Sequence, residues 1–412
     1  MSSGNWADKA AMPDFSVASK GKKPLNIGLF TDMYYPRISG VVTSAQMLEQ
    51  QLSLLGHKVY TFTTTDPEAP KFESKVYRLP SLPLFFLRDT HRMAYFYPPS
   101  LIIKAKKLKL DIVHTYTEFS LGFFGRLIST MFKVPMVHTY HTMYEDYVHY
   151  IANGKLISRR GAQRYSRVFC NRANMVIAPT EPTTAYLQNI GVTKPIRTIP
   201  TGLDFSQFSP SKFSQKDLAK TRAELGLKPD DAVISAVGRV AKEKSLDVLV
   251  NMMPRLLSLV PSAKLLIVGD GPVRAELEAQ ARQLSVAHAV KFTGLVPRAD
   301  IAKYYVIGDV FATASTSETQ GLTYIEALAA RVPVIIKKDP AFLGIIKHME
   351  TGFIFTHDNE AADTVAYALT HPDIARRVAL KGYAAAQPMS AEVFGLELIS
   401  AYRDVITDVG RG

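Results

Sequence analysis

Short apolar runs alternate with helical patterns along this chain, and they do so in two successive sets. In the first, "LNIGLFTD" (Leu25 to Asp32) is an apolar run that ends in turn chemistry, the pattern of a buried parallel strand. "GVVTSAQMLEQQLSLLGH" follows with apolar positions at helical spacing and Gly56 as its stop. "KVYTFTTT", "DIVHTYTE", "VPMVHTY" and "ANMVIAPT" continue as strands, with "FSLGFFGRLISTMF" as a helix between the second and third. The second set runs "DAVISAVGRV", "SLDVLVNMMPRLLSLV", "AKLLIVGDG", "VRAELEAQARQL", "VKFTGLV", "VFATAS", a helix after Gly321, "VPVIIKK" and "GFIF". Such alternation builds a parallel sheet with helices on both faces. The expected fold is therefore α/β, with two Rossmann-like doubly wound parallel-sheet domains facing a cleft. They span 25–204 and 231–385, joined by a linker at 205–230 that the Pro-, Ser- and Gly-rich stretch "IPTGLDFSQFSPSKFSQ" announces, and 412 residues suffice for two cores. Residues 386–412 are expected as a closing helix that packs back on the first domain.

Several classes drop out. Residues 1–24 are small and polar and lack the apolar run of a signal peptide, so a disordered leader is expected. No stretch approaches eighteen unbroken apolar residues, so nothing here reads as a membrane span. The single cysteine, Cys170, excludes an internal disulfide and a cysteine metal cluster, which suits the cytoplasm. A formal charge of +12 favours nucleic acid, anionic lipid or phosphorylated substrates without choosing among them. No nucleic-acid-binding module is recognisable.

In open parallel sheets, ligands sit outside the carboxyl ends of the strands. A dinucleotide fingerprint G-x-G-x-x-G should follow a first strand, but none follows "NIGLF". "VGDGPVR" has Gly269 and Gly271, yet Arg274 stands where the third glycine belongs. The stretch "SETQGLTYIEALAA" carries more chemistry. Glu318 falls in the loop after the strand "VFATA", and the helix expected from Leu322 leaves the amides near Gln320 to Thr323 unpaired, a site for phosphate. Gly321 lets the backbone approach an anion. Glu326, about one turn into that helix, offers two acceptor oxygens that match a vicinal diol. Taken alone, the two glutamates fit a capping acid and a surface acid on an ordinary helix better than a ligand site, since acids are mostly solvated. "GRVAKEKSLDVL" adds Arg239 and Lys244 after the first strand of the second set, a planar fork and a point charge suited to a diphosphate.

"GRVAKEKSLDVL", "VGDGP", "FTGLV" and "SETQGLTYIEALAA", in this order, resemble the second domain of the retaining glycosyltransferases of family 4, which have the GT-B architecture. The resemblance implies that Arg239 and Lys244 hold the donor diphosphate together with the amides of Gly321 and Leu322. It further implies that Glu326 binds the nucleotide ribose and Glu318 the hydroxyls of the transferred sugar. In "YPRISGVVTS", Gly40 would open the first helix near the phosphate, with Ser39 where many relatives have a second glycine. In "VPMVHTYHTMYEDY", His141 matches the family histidine that contacts the sugar's primary hydroxyl, while His138 falls within the strand as a packed residue. His114 matches another family histidine, with Tyr116 replacing the second one common there. Glu318, His141, Arg239 and Lys244 are thus the expected catalytic group, acting by same-face displacement with retention. No D-x-D acid motif is present, so neither a metal nor another cofactor is expected to be required.

The acceptor is read from the first domain. Lys104, Lys106, Lys107 and Lys109 stand beside an aromatic-rich stretch, and Arg160, Arg164 and Arg167 recur at i, i+4 and i+7. Ile157, Tyr165, Val168 and Phe169 fall largely on the other side of that helix, a pattern of a protein lying on an anionic membrane and equally of a core helix with a solvated basic face. "DMYYPRISGVVTS", "YTFTTTDP", "YTEFSLG" and "HTYHTMYEDYVHYIANGKLISR" resemble the bacterial diacylglycerol glucosyltransferases. That resemblance implies transfer of α-glucose from UDP-glucose to 1,2-diacylglycerol, making a lipid that anchors lipoteichoic acid in Gram-positive bacteria. It also implies a peripheral enzyme on the cytoplasmic face of an anionic membrane, with no nucleic acid as partner. Tyr144, Glu145 and Asp146 would line the acceptor side. A galactose donor, a glycolipid acceptor or a soluble acceptor shares the same donor residues. A catalytically dead lipid scaffold would not need Glu318, Glu326, Arg239 and Lys244 together.

Overall fold

The computed structural model describes residues 23–37, 39–83, 92–141, 158–315, 320–340, 342 and 344–410. The first sheet is built from β1 (Asn26–Phe30), β2 (Lys58–Thr64), β3 (Val76–Leu79), β6 (Ile112–Thr115), β7 (Met136–Thr139), β8 (Met175–Ala178) and β9 (Ile196–Thr198). Its order is β3-β2-β1-β6-β7-β8-β9 and every pairing is parallel. A short antiparallel ribbon, β4 (Ser81–Pro83) with β5 (Arg92–Ala94), stands beside it. The second sheet holds β10 (Ala232–Val237), β11 (Ala263–Val268), β12 (Val290–Phe292), β13 (Val310–Thr313), β14 (Val334–Lys337) and β15 (Phe353–Phe355). Its order is β12-β11-β10-β13-β14-β15, again all parallel.

Both sheets are apolar on both faces, as crossover helices require. Leu29, Ile112 and Val137 face one core of the first domain, and Phe30, Val113 and Val176 face the other. The strand order reverses between β1 and β6 in the first sheet and between β10 and β13 in the second, which puts a crevice at each carboxyl edge. The helix Gly40–Leu54 starts there. Ser39 is its N-cap in extended conformation and accepts a hydrogen bond from the Val42 amide, 3.3 Å, a side-chain cap that a glycine could not supply.

The chain crosses between the domains twice, at neighbouring points. The Leu203 amide donates to the Met389 carbonyl and the Ala391 amide to the Leu203 carbonyl, both at 2.9 Å. After the second crossing, the helix Ala391–Gly410 lies on the first domain. Phe394, Leu398, Ala401, Tyr402 and Val405 share one buried cluster with Ile27, Leu48, Leu52 and Ile112. Arg197 clasps that helix through Glu397 at 2.8 Å and Asp404 at 3.0 Å.

The 205–230 stretch differs from a free linker. Phe205 and Phe208 bury in the second domain's core with Tyr305 and Tyr324, and a helix, Gln215–Glu224, follows. The Pro, Ser and Gly content hid two aromatic anchors. Among the described residues, no helix is long and apolar enough to cross a membrane.

Candidate active site

Three loops meet at the carboxyl edge of the second sheet. Gly238 follows β10 at φ 144°, and a side-chain atom placed on it would stand 3.9 Å from Thr323, in the first turn of the helix Leu322–Ala329. Gly269, after β11, packs against the Gly238 carbonyl so closely that any β-carbon would lie 2.0 Å from that oxygen. From the loop after β13, the Ser315 hydroxyl donates to the Glu243 carbonyl, 3.3 Å, inside the turn Lys242–Lys244. The loops bearing Arg239 and Lys244 therefore pack against the mouth of the helix that Gly321 opens. Arg239 is exposed and Lys244 half-buried. Gly321 adopts φ 71°, and a β-carbon there would press to 2.6 Å from Phe342, so the position requires glycine on two counts. Leu322 opens the helix behind it with no side-chain cap, leaving the first amides unpaired by any capping group. Glu318, Tyr144, Glu145 and Asp146 lie outside the described residues.

Glu326 is held from two sides. It is only 2% exposed, and both oxygens are engaged: Tyr305 donates to one at 2.6 Å and Arg298 pairs with the other at 2.5 Å. Arg298 reaches in from the loop after β12 and is itself nearly half exposed. The carboxylate thus joins that loop to the β13 helix. Each carboxylate oxygen keeps a further lone pair for an incoming hydroxyl. Arg298 and Tyr305 gave no sequence signal, because their tie to Glu326 spans more than twenty residues.

On the first domain, Gly40 is exposed with open space beside it. His138 is fully buried in β7 and shares hydrogen bonds with Thr115 Oγ1 at 2.9 Å and with Glu118 at 3.3 Å, a packed position. His114 is also fully buried, held between Tyr402 and Thr139 at 2.6 Å each. It is a core residue fastening the closing helix. Burial, then the neighbouring His138 and His141, depress its basicity well below the ordinary imidazole range. His141 follows β7, and its Nε2 is buried without a hydrogen-bond partner among the described residues. Burial, then His138, push its pKa down to about 3. Its ring packs on Tyr116 at 4.7 Å, and Tyr116 packs on His114 at 4.8 Å. A neutral imidazole with one unpaired nitrogen suits a hydrogen bond to a hydroxyl.

Sequence reasoning missed two further elements. Asp32, at the end of β1, is buried and accepts from Thr117 Oγ1 at 2.6 Å, from Ser120 and from the Leu121 amide at 3.1 Å. Burial outweighs these bonds and pushes its pKa up to about 6. The second is a polar chain that joins Gln320 to Thr201, Ser44 and Tyr116.

The basic residues fall in two places. Lys104, Lys106 and Lys107 sit in the last turn of the helix Pro99–Lys107, with Lys109 just beyond, all exposed. Arg160, Arg164 and Arg167 line a groove of about 480 Å³ with Tyr186 and Asn189. The opposite face of that helix, Arg159–Cys170, buries Ala162, Ser166 and Phe169, whereas Tyr165 and Val168 stay partly exposed.

Two parallel sheets with loops converging from their carboxyl edges across a double crossover define the GT-B class of glycosyltransferases. HepE of Anabaena, solved in complex with UDP and glucose, superposes with a TM-score of 0.74 at 19% identity, covering 92% of this chain and 100% of that one. Sucrose-phosphate synthase of Thermosynechococcus elongatus gives 0.74 at 24%, covering 93% and 100%. In sequence, residues 38–207 match the description "Glycosyltransferase Family 4" and residues 217–400 match "Glycosyl transferases group 1". The alpha-monoglucosyldiacylglycerol synthase of Streptococcus pneumoniae is 37% identical over 93% of this chain and 86% of its own length. The enzyme of that name from Acholeplasma laidlawii is 32% identical over 93% and 98%. The chain belongs to glycosyltransferase family 4.

Proposed function

We propose that this enzyme transfers α-glucose from UDP-glucose to the free hydroxyl of 1,2-diacylglycerol, with retention, at the cytoplasmic face of an anionic membrane. One observation carries the donor half: the Arg239–Lys244 loop is tied to the β13 loop at the uncapped mouth of the Leu322–Ala329 helix. Cleaving the bond from C1 to the diphosphate builds negative charge on the phosphates. Arg239, Lys244 and the amides of Gly321 and Leu322 stabilise it, usually the largest catalytic contribution. Gly40 leaves room for the phosphates from the first domain. Glu326, held in place by Tyr305 and Arg298, takes the ribose hydroxyls, and Glu318 takes those of the sugar. His141, neutral, meets the sugar's primary hydroxyl through its unpaired Nε2. The departing phosphate accepts the acceptor's proton as the new C1–O bond forms on the same face.

The acceptor half is supported by the two diacylglycerol-enzyme relatives and by the first domain's surface. Leu82, Met93, Tyr95, Phe96 and Ile103 are exposed apolar residues near Lys104, Lys106 and Lys107 in the chain, and Arg160, Arg164 and Arg167 form a second basic patch. Exposed apolar and basic side chains of this kind suit binding at an interface, which needs no spanning helix. Tyr144, Glu145 and Asp146 are assigned to the acceptor side. Lipoteichoic acid anchoring is the corresponding use of the product. Charge neutralisation by Arg239 and Lys244 calls on no metal, so turnover should survive EDTA.

Radiolabelled UDP-glucose and UDP-galactose offered with diacylglycerol in anionic vesicles test the proposal. Monoglucosyl lipid from the first donor is the expected product. Preference for the galactose donor, or equal turnover of a water-soluble alcohol without lipid, would overturn it.

A further inference from the structure

A side chain in the donor-side loop pairs with the backbone of the other domain as a peptide group would. Gln320 is 5% exposed, immediately before Gly321. Its Nε2 donates to the Thr201 carbonyl at 3.0 Å, and its Oε1 accepts from the Thr201 amide at 2.8 Å. Thr201 belongs to the first domain, three residues beyond β9 and two before Leu203, where the chain crosses. The pairing is that of two strands, with a carboxamide as one partner, and only one amide orientation satisfies both bonds. From Thr201 the chain of contacts continues inward. The Thr201 hydroxyl donates to Ser44 Oγ at 3.2 Å, and Ser44 donates to Tyr116 Oη at 3.3 Å. Ser44 is in the second turn of the helix that Gly40 opens, and Tyr116 carries His141 on its ring. Gln320, Thr201, Ser44 and Tyr116 are all buried.

We infer that Gln320 is a positioning residue that fixes the donor loop against the crossing point, and through Thr201, Ser44 and Tyr116 against His141. The inference rests on the donor assignment above. Groups on either side of a cleft must hold their register for the acceptor hydroxyl, rather than water, to reach C1, and a misplacement of about 1 Å costs roughly a hundredfold in rate. A residue that sets that register controls partition as well as speed. When it fails, water takes the acceptor's place: the C1–O bond to the diphosphate breaks, a C1–O bond to water forms, and the water proton leaves with UDP.

The test uses the full chain with UDP-glucose and diacylglycerol vesicles. The Gln320→Leu variant keeps side-chain size and loses both bonds. It is expected to bind UDP within about threefold of wild type, to lose roughly tenfold or more in kcat for transfer, and to raise the ratio of free glucose to glucolipid. The Gln320→Glu variant is the sharper arm. A protonated carboxyl has one donor and one acceptor and copies the amide, whereas the ionised form has no donor for the Thr201 carbonyl. Burial favours the protonated form, so its activity relative to wild type is expected to recover as the pH falls from about 8 to about 6. Loss of UDP affinity in step with kcat, with an unchanged glucose ratio, would overturn the inference, as would a flat pH ratio for Gln320→Glu. A substrate-free measurement separates this inference from the donor assignment. The Thr201 amide should exchange with deuterium faster in the Gln320→Leu variant, which has no acceptor for it, and unchanged protection there overturns the latch whatever the donor proves to be. A wild-type enzyme that ignores UDP-glucose while Thr201 responds as expected overturns only the donor assignment.

Discussion

His141 sits at the carboxyl edge of the first sheet as a neutral ring, and that state has a measurable consequence. With a folded pKa of about 3 against the ordinary 6.5, the unfolded chain binds the proton first as the pH falls. Stability from this group is therefore complete above about pH 6.5 and declines until about pH 3, at about 1.4 kcal/mol per pH unit. At pH 5 the loss from His141 is about 2 kcal/mol. His114 works in the same direction. Asp32 works against both: its folded pKa is raised to about 6, so the folded state takes up that proton first and gains stability as the pH falls from about 6 towards 4. The clean measurement is thus a difference. Urea unfolding of wild type and a His141→Asn variant, at pH 7.5 and pH 5, should show the variant losing about 2 kcal/mol less across that interval. The same neutrality removes His141 from acid–base roles near neutrality. The pH profile of kcat should carry no limb between 6 and 7 that disappears in the variant. An unchanged stability difference, or such a limb, would refute the assignment of His141 as a neutral hydrogen-bonding group.

Other outcomes follow from the charges and the packing. Lys244→Ala and Glu318→Ala should each lower turnover about a hundredfold through lost charge stabilisation and lost sugar contacts, and near-normal rates in both would remove the donor assignment. Leu398→Ala, at a site with no exposure, should cost about 2–5 kcal/mol in the first domain while calorimetry finds UDP affinity unchanged. Reversing Arg160, Arg164 and Arg167 to glutamate should abolish the preference for anionic over neutral vesicles in a flotation assay, leaving turnover on detergent-dispersed lipid intact.

The strand and helix alternation was legible because buried parallel strands are short apolar runs and their crossover helices carry a different period. Glycines were legible where backbone contact leaves no alternative, as at Gly321 against Phe342. Partnerships across the fold were not. The ties that hold Glu326 were hidden because nothing in "SETQGLTYIEALAA" mentions Arg298 or Tyr305. Gln320 counted only for its backbone amide, since its side chain's partner is a peptide group, and peptide groups leave no letter in a sequence. The stretch at 205–230 misled through composition: its Ser and Pro content describes the surface, whereas Phe205 and Phe208 decide where it packs.

The double crossing at Leu203 and Ser390 makes the second domain an insert within the first. A chimera that exchanges donor preference must therefore be spliced at both seams, because a single junction would graft a foreign lid onto Leu48 and Ile112. The first domain's buried cluster is complete only when the closing helix, made after the whole intervening fold, has been laid on it.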